Sequence, residues 1–338
     1  MTDAGVRTVD YHTAGEPFRI VLEGVAVPVG SSVRERRANA TSDPDLEKVR
    51  RLLCQEPRGH ADMYGCFLTP PDDEGADFGV LFWHKDGYST ACGHGTIALG
   101  AWAVDSGRVG APADGVTDVV IDVPSGRVTA RVERRAGRTE AVTFRNVPSY
   151  VLAREVPLRL ADRDVVVDVG YGGAIYASVP ASALGLAVTP EHYVDLIAAG
   201  RAVKAALSST PAAEHPSDER LSGIYGTILY DDLGETEHGP HQRNVTVFAD
   251  GEVDRSPCGS GTSARVALLA ADGRMAPGRR LVHDSIIGTR FTAEVVGSLE
   301  ADGREAVVTE VCGMAYATGE HRFTLDPRDP VGAGFVLR

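Results

Sequence analysis

Residues 89–100 read STACGHGTIALG, and residues 255–268 read RSPCGSGTSARVAL. Both carry Cys-Gly-x-Gly-Thr followed by small, apolar residues, once at Cys92 and once at Cys258. Glycine lets the chain turn sharply and approach a neighbour closely. The run after the first phrase is apolar on nearly every side, which is the pattern of a helix buried within a sheet rather than laid on a surface. Two such helices call for two cores, and the text around each phrase repeats accordingly.

Around Cys92 the runs VRTVDYHT, FRIVLEGVAV, FGVLFWH, DVVIDVPSGRVTARVE and AVTFRNV are rich in β-branched and aromatic residues and predict strands, with a hairpin at VPSGRV. SDPDLEKVRRLLCQEPRG predicts a helix capped by Ser42 or Asp43, with Leu46, Val49, Leu52 and Leu53 on one face until Pro57 stops it. The second half repeats the scheme. DVVVDVGYGGAIYASV predicts strands, TPEHYVDLIAAGRAVKAAL a peripheral helix, and SGIYGTILYDD and NVTVFADGEVDRS further strands that lead into the helix after Cys258. The expected class is α/β in the α+β sense. It comprises two similar domains, each with a mainly antiparallel sheet, a peripheral helix and one buried helix. The expected bounds are 1–150, holding Cys92, and 151–324, holding Cys258. Residues 147–158 read as a linker, and 325–338 return to the first domain.

The chain has 338 residues, enough for two domains, with 43% hydrophobic and 24% charged residues. A net charge of −13 argues against nucleic acid or a polybasic membrane anchor as partner. The basic clusters Arg34, Arg36, Arg37 and Arg131, Arg134, Arg135 read as solvated surface. No apolar run resembles a signal peptide or a spanning helix, and five cysteines without CxxC spacing do not read as a disulfide framework or a zinc site. A reducing cytoplasm is the expected location, and a monomer or homodimer the expected state.

The chemistry follows from the helix starts. The first N–H groups of a helix lack internal partners and point outward as anion donors, and the dipole favours negative charge there. A thiol in that place is expected to fall below its free pKa of about 8.5. Each phrase thus offers a carboxylate cradle and an activated sulfur. Two such sulfurs on one carbon suit inversion, in which one removes a proton from one face and the other returns a proton to the opposite face. Oriented N–H donors stabilise the electron-rich carboxylate of the carbanion, so no metal and no organic cofactor is required. Asp254, four residues before Cys258, suits an ammonium or ring nitrogen. His94, two after Cys92, suits the same role or polarises the thiol.

Competing readings exist for these residues. Cys54, Cys66 and Cys312 lack the glycine context and read as structural thiols. A Cys92–His94 hydrolase pair suffers because residues two apart at a helix start diverge, and zinc at Cys92, His94 and Cys258 would lack a CxxC pair. A Cys92–Cys258 disulfide reads as an oxidation hazard of the same site. Neither phrase has the Lys-Ser/Thr of a P-loop. His12 and His60 sit in polar turns and read as structural, while Met63 and Tyr64 are candidates to line the pocket.

Together HTAGEP, EPRGHADMYG, ACGHGT and DRSPCGSGT resemble the proline racemase family, which includes 4-hydroxyproline epimerases and trans-3-hydroxy-L-proline dehydratases. The likeness covers nearly the whole chain. It implies a diaminopimelate-epimerase-like fold of two pseudo-symmetric domains, each a curled sheet around a central helix, with the active site between them. By motif match Cys92 and Cys258 would be the catalytic acid/base pair. Gly93, His94, Gly259 and Ser260 would bind a small-molecule substrate, proline or hydroxyproline, and Asp254 its nitrogen. Two departures stand out. Ala91 replaces the Met common before the first cysteine. The flanking text EPRGHADMYG, YGGAIYA, YGTILYDD and VFADGEVDRSP resembles the dehydratase branch, which typically carries threonine where Cys258 stands. The pair is weighted over the flanks, so inversion of the α-carbon is the expected activity and dehydration the alternative. A non-catalytic imino-acid binder is a remote third.

Overall fold

In a computed structural model, which describes residues 5–161 and 163–337, both buried helices begin at the residue after the cysteine. The chain divides into two compact units, Met1–Val142 with Met314–Arg338, and Thr143–Gly313. Among the described residues no helix is long and apolar enough to cross a membrane.

The first unit runs β1 (Val6–Thr13), β2 (Glu16–Glu23), α1 (Val33–Ala40), α2 (Pro44–Cys54), β3 (Gly65–Thr69), β4 (Phe78–His84), β5 (Gly87–Tyr88), α3 (Gly93–Asp105), β6 (Gly115–Val123), β7 (Gly126–Arg135) and the start of β8 (Arg138–Arg145). The second runs β9 (Ser149–Arg159), β10 (Asp164–Tyr171), β11 (Ile175–Pro180), α4 (Tyr193–Leu207), β12 (Ile224–Glu235), β13 (Pro240–Phe248), β14 (Glu252–Asp254), α5 (Gly259–Ala271), β15 (Arg280–Ser285), β16 (Arg290–Ala301) and β17 (Arg304–Gly313). The chain then supplies β18 (Ala315–Phe323) to the first unit, antiparallel to β1.

The pairings repeat in order. In the first unit β1–β2 is a hairpin, β2 lies parallel to β3, β3 antiparallel to β4, β4 parallel to β6, and β6–β7 a hairpin. In the second, β10–β11, β11–β12, β12–β13, β13–β15 and β15–β16 have the same senses in the same sequence. Each parallel step needs a crossover, and the second of these contains the cysteine-led helix in both units. The second unit's sheet also closes on itself, because β9 pairs with β17 at Ala306–Tyr150 and Val307–Ser149.

Sequence explains the placement. Every residue of β4, FGVLFWH, is buried, as a strand covered on both faces requires. Residues 93–104 of α3 and 259–269 of α5 are all buried, so the sheets wrap their helices and no polar stripe is needed. The pair Gly172-Gly173 has a packing reason. A Cβ on Gly172 would lie 2.4 Å from the carbonyl oxygen of Ser260, so only glycine lets this turn approach the first residues of α5.

The α2 helix is capped by Asp43, whose carboxylate accepts from the N–H groups of Asp45 and Leu46 at 2.9 and 3.1 Å. It ends at Cys54, ahead of Pro57. Two readings need correction. Residues 147–158, read as a linker, belong from Ser149 onward to strand β9. The first basic cluster is not simply solvated surface, since it forms α1. Arg36 is buried and donates to Pro70 O at 2.7 Å, while Arg37 donates to Tyr88 O at 3.0 Å. Guanidinium groups that satisfy backbone carbonyls can enter the interior, and composition does not reveal those carbonyls.

Candidate active site

Cys92 is the N-cap of α3 in extended backbone (φ −155°), and its sulfur accepts from the Gly95 N–H at 3.2 Å. The backbone carbonyl of Cys92 takes both the N–H and the hydroxyl of Thr96, at 3.0 and 2.8 Å. Gly95 is needed because a Cβ there would lie 2.7 Å from Cys92 Sγ and 2.4 Å from the Phe18 ring. His94 lies 3.5 Å from the sulfur through Nδ1 and sits edge-on to both Tyr64 and Phe18, with ring centroids 5.0 and 5.7 Å away. Burial lowers its pKa to about 3 although its ring hydrogen-bonds the Pro17 carbonyl, so it is neutral at physiological pH. The HTAGEP segment supports it from below, for Thr13 Oγ1 donates to His94 O at 2.8 Å.

Cys258 is the N-cap of α5, but its backbone is in the left-handed region (φ 63°). A non-glycine residue there is uncommon and carries about 1–3 kcal/mol of strain. Its N–H donates to Ser256 Oγ at 3.1 Å, and Ser256 donates both N–H and hydroxyl to Asp254 Oδ1, at 2.8 and 2.7 Å. The thiol donates to Tyr176 Oη at 3.9 Å. Behind the helix, Thr262 Oγ1 bonds His283 Nδ1 at 2.8 Å, and Asn244 donates to Pro257 O at 2.9 Å. Burial raises the Asp254 carboxyl to about 6 despite the two Ser256 donors. Burial, then the charge of Asp254, pushes the Cys258 thiol well above its ordinary value. The expected lowering at a helix start therefore does not hold for Cys258. Desolvation and a neighbouring carboxylate outweigh the dipole and the nearby Gly261 N–H.

The first unit thus brings Cys92, Gly93 and His94 together, and the second brings Asp254, Cys258, Gly259 and Ser260 together. Tyr64 joins the first group through its ring contact with His94, its hydroxyl bonded to Ser89. Met63 instead packs in the apolar core with Leu53 and Trp83, and His60 is exposed. His12 has a turn role, accepting the Gly15 N–H at 3.1 Å. Cys54 and Cys66 are buried among core residues. Phe18, Tyr176 and Ser256 were not foreseen. Ser256 stood within the quoted phrase, two residues before Cys258, where a serine can bridge to a carboxylate. Among the described residues neither Cys92 nor Cys258 belongs to a cluster of three metal-ligating side chains. Each unit offers a sulfur at the start of a helix, where backbone N–H groups point outward, an arrangement suited to proton transfer next to a bound carboxylate.

The chain is similar to known proteins over its full length. It is 42% identical over 330 residues to the trans-3-hydroxy-L-proline dehydratase of Bacillus cereus, covering 98% of this chain and 97% of that protein. A crystal structure of a hydroxyproline epimerase from Agrobacterium vitis, with bound trans-4-hydroxy-L-proline, superposes with a TM-score of 0.91. It is 30% identical and covers 99% of this chain and 96% of its own. A PhzF-family phenazine biosynthesis protein of Bacillus anthracis, 12% identical, shares the fold alone, with a TM-score of 0.57 over 96% of this chain and 100% of its own. The fold is the diaminopimelate-epimerase-like architecture expected from the motifs, two units of like topology, each a sheet around a helix. The protein is an enzyme, and with residues 8–336 matching the family model described as proline racemase, the chain belongs to the proline racemase family.

Proposed function

We propose that this enzyme inverts the α-carbon of proline or 4-hydroxyproline without a cofactor, with Cys92 and Cys258 as its two proton carriers. The observation that carries this reading is that cysteine holds the same place in both repeats, at the head of the one helix buried in each. One sulfur, as thiolate, takes the α-proton. The other, as thiol, returns a proton to the opposite face, and the two sulfurs finish with their states exchanged. The N–H groups at Gly93 and at Gly259 and Ser260 hold the substrate carboxylate as its charge grows. Asp254 binds the imino nitrogen, and His94, neutral, contributes a hydrogen bond.

The activity named for the 42% identical relative favours a second reading, dehydration of trans-3-hydroxy-L-proline. There Cys92 takes the α-proton, the C3–O bond breaks, and the Cys258 thiol protonates the departing hydroxyl to water. The resulting enamine tautomerises to a pyrroline carboxylate. Both readings share the same carbanion and differ in where its electron pair goes.

Incubation with L-proline, trans-4-hydroxy-L-proline and trans-3-hydroxy-L-proline separates them, read by chiral chromatography and by imine trapping. Inversion of either of the first two supports the first reading. Pyrroline from the third with no inversion of the others overturns it in favour of the second. Cys92→Ser is expected to abolish all activity and Cys258→Ser to end inversion. Wild-type inversion by Cys258→Ser would refute the two-thiol mechanism.

A further inference from the structure

The threonine that closes each cysteine phrase is wired differently in the two repeats. In the first, Thr96 directs both its N–H and its hydroxyl to the carbonyl of Cys92 itself, at 3.0 and 2.8 Å. In the second, the Thr262 N–H goes to the Cys258 carbonyl at 2.7 Å, but its hydroxyl reaches one residue further back, to Pro257 O at 3.1 Å. The same carbonyl receives the Asn244 side-chain amide from β13 at 2.9 Å. A carbonyl can only accept, so the Thr262 hydroxyl proton is directed there, and His283 on β15 gives its Nδ1–H to the Thr262 oxygen at 2.8 Å. Burial lowers His283 to about 3, which leaves a neutral imidazole with one N–H to give. On its other edge, the same peptide unit donates the Cys258 N–H to Ser256 Oγ at 3.1 Å. Asn244, Ser256, Thr262 and His283 are all fully buried.

Both polar ends of the Pro257–Cys258 peptide are therefore held, while the next peptide plane is held through the Cys258 carbonyl by the first turn of α5. The two planes that meet at Cys258 are fixed separately, and together they set its φ. That angle is 63°, in the region a cysteine avoids, whereas Cys92, whose threonine bonds the cysteine's own carbonyl, is extended at −155°. A residue stays in such a conformation only where its surroundings over-determine it. We infer that Asn244, Thr262 and His283 are positioning residues that clamp the peptide before Cys258 and so aim its sulfur, which meets Tyr176 Oη at 3.9 Å. Their part in turnover rests on the function proposed above, and the clamped backbone does not.

Thr262→Val keeps the side-chain shape but removes the hydroxyl, and Asn244→Ala removes the other donor to Pro257 O. In crystal structures of the two full-length variants, residue 258 is expected to leave the left-handed region for negative φ, carrying its sulfur away from Tyr176. The kcat for inversion is expected to fall about 100-fold, the cost of about 1 Å of misplacement at a reacting atom, with KM within about twofold because the N–H groups of Gly259 and Ser260 stay at the head of α5. Thr262→Ser, which restores the hydroxyl, should recover both the backbone angle and kcat. The first two variants lose separate donors, so a folding failure of one leaves the other as the test. Residue 258 staying near 63° would overturn the inference, as would a relaxed backbone with wild-type kcat or a loss of kcat that Thr262→Ser does not recover. An enzyme inert toward all three imino acids would overturn the proposed activity and leave φ of residue 258 to decide on the clamp.

Discussion

Asp254 illustrates how one residue couples charge, stability and activity. Its carboxyl is raised to about 6 by burial, above the unfolded value of about 3.9. The folded protein therefore binds its proton more tightly than the unfolded chain does. The stability linked to it is present below pH 3.9 and lost as pH rises through about 6. Asp254→Asn is accordingly expected to melt higher than wild type at pH 8, with the gap closing toward pH 4, although it loses substrate affinity. If the carboxylate binds the imino nitrogen, kcat/KM of wild type should fall below about pH 6, a limb absent from the residual activity of Asp254→Asn. A limb that persists in the variant would assign it elsewhere. His94 is not a source for that limb, because it stays neutral down to about pH 3. At this scale the sequence offered Cys92, His94, Asp254 and Cys258 as candidates, because they stand within two short phrases. Phe18 reaches His94, and Tyr176 the Cys258 sulfur, from distant strands, so no local spacing marks them. The direction of the Cys258 shift depends on depth of burial, which a helix-start motif does not encode.

Among the elements, the two cysteine-led helices depend on close backbone approach. Gly172→Ala would drive a Cβ against the Ser260 carbonyl, where a backbone atom must move. The expected cost is about 1–3 kcal/mol, typical of overpacking, with a rise in KM because Gly259 and Ser260 shift with it. Unfolding curves and kinetics of that variant check both, and an unchanged melting temperature would count against this packing. Asp43→Ala, which removes the α2 cap, should cost about 1 kcal/mol and leave kinetics untouched. Apolar alternation disclosed most strands, and capping residues placed α2. The α1 helix was hidden because VRERRANA carries few apolar residues, and its helicity depends on the Ser32 cap and on carbonyls that receive Arg36 and Arg37. Strand β9 was hidden because its exposed and buried positions mix charges with apolar residues.

Across the whole molecule, the duplicated order of pairings explains why two similar phrases stand so far apart in the chain. The first unit is completed only after the second has been made, by β18 alongside β1, where β9 takes the matching place alongside β10. Beyond β18, Phe335 N–H donates to Glu56 O at 3.0 Å, and Arg58 donates to the carbonyls of Thr324 and Gly332. Arg19 anchors the same region, bridging Asp10 at 2.8 Å and donating to Leu53 O and Arg58 O. Arg19→Met would leave the buried Asp10 charge without this partner and is expected to cost about 3–5 kcal/mol, measurable by denaturant unfolding. A loss below about 1 kcal/mol would mean that Asp10 is compensated by its other neighbours, the Thr8 hydroxyl at 3.3 Å and His321 at 3.4 Å.

The most direct test of the central claim is proton NMR of the wild-type enzyme with L-proline, trans-4-hydroxy-L-proline and trans-3-hydroxy-L-proline in D₂O. Two-thiol inversion predicts that the Cα–H signal of proline or 4-hydroxyproline decays while the inverted product appears carrying deuterium. Retention of the Cα–H signal in all three imino acids would contradict it.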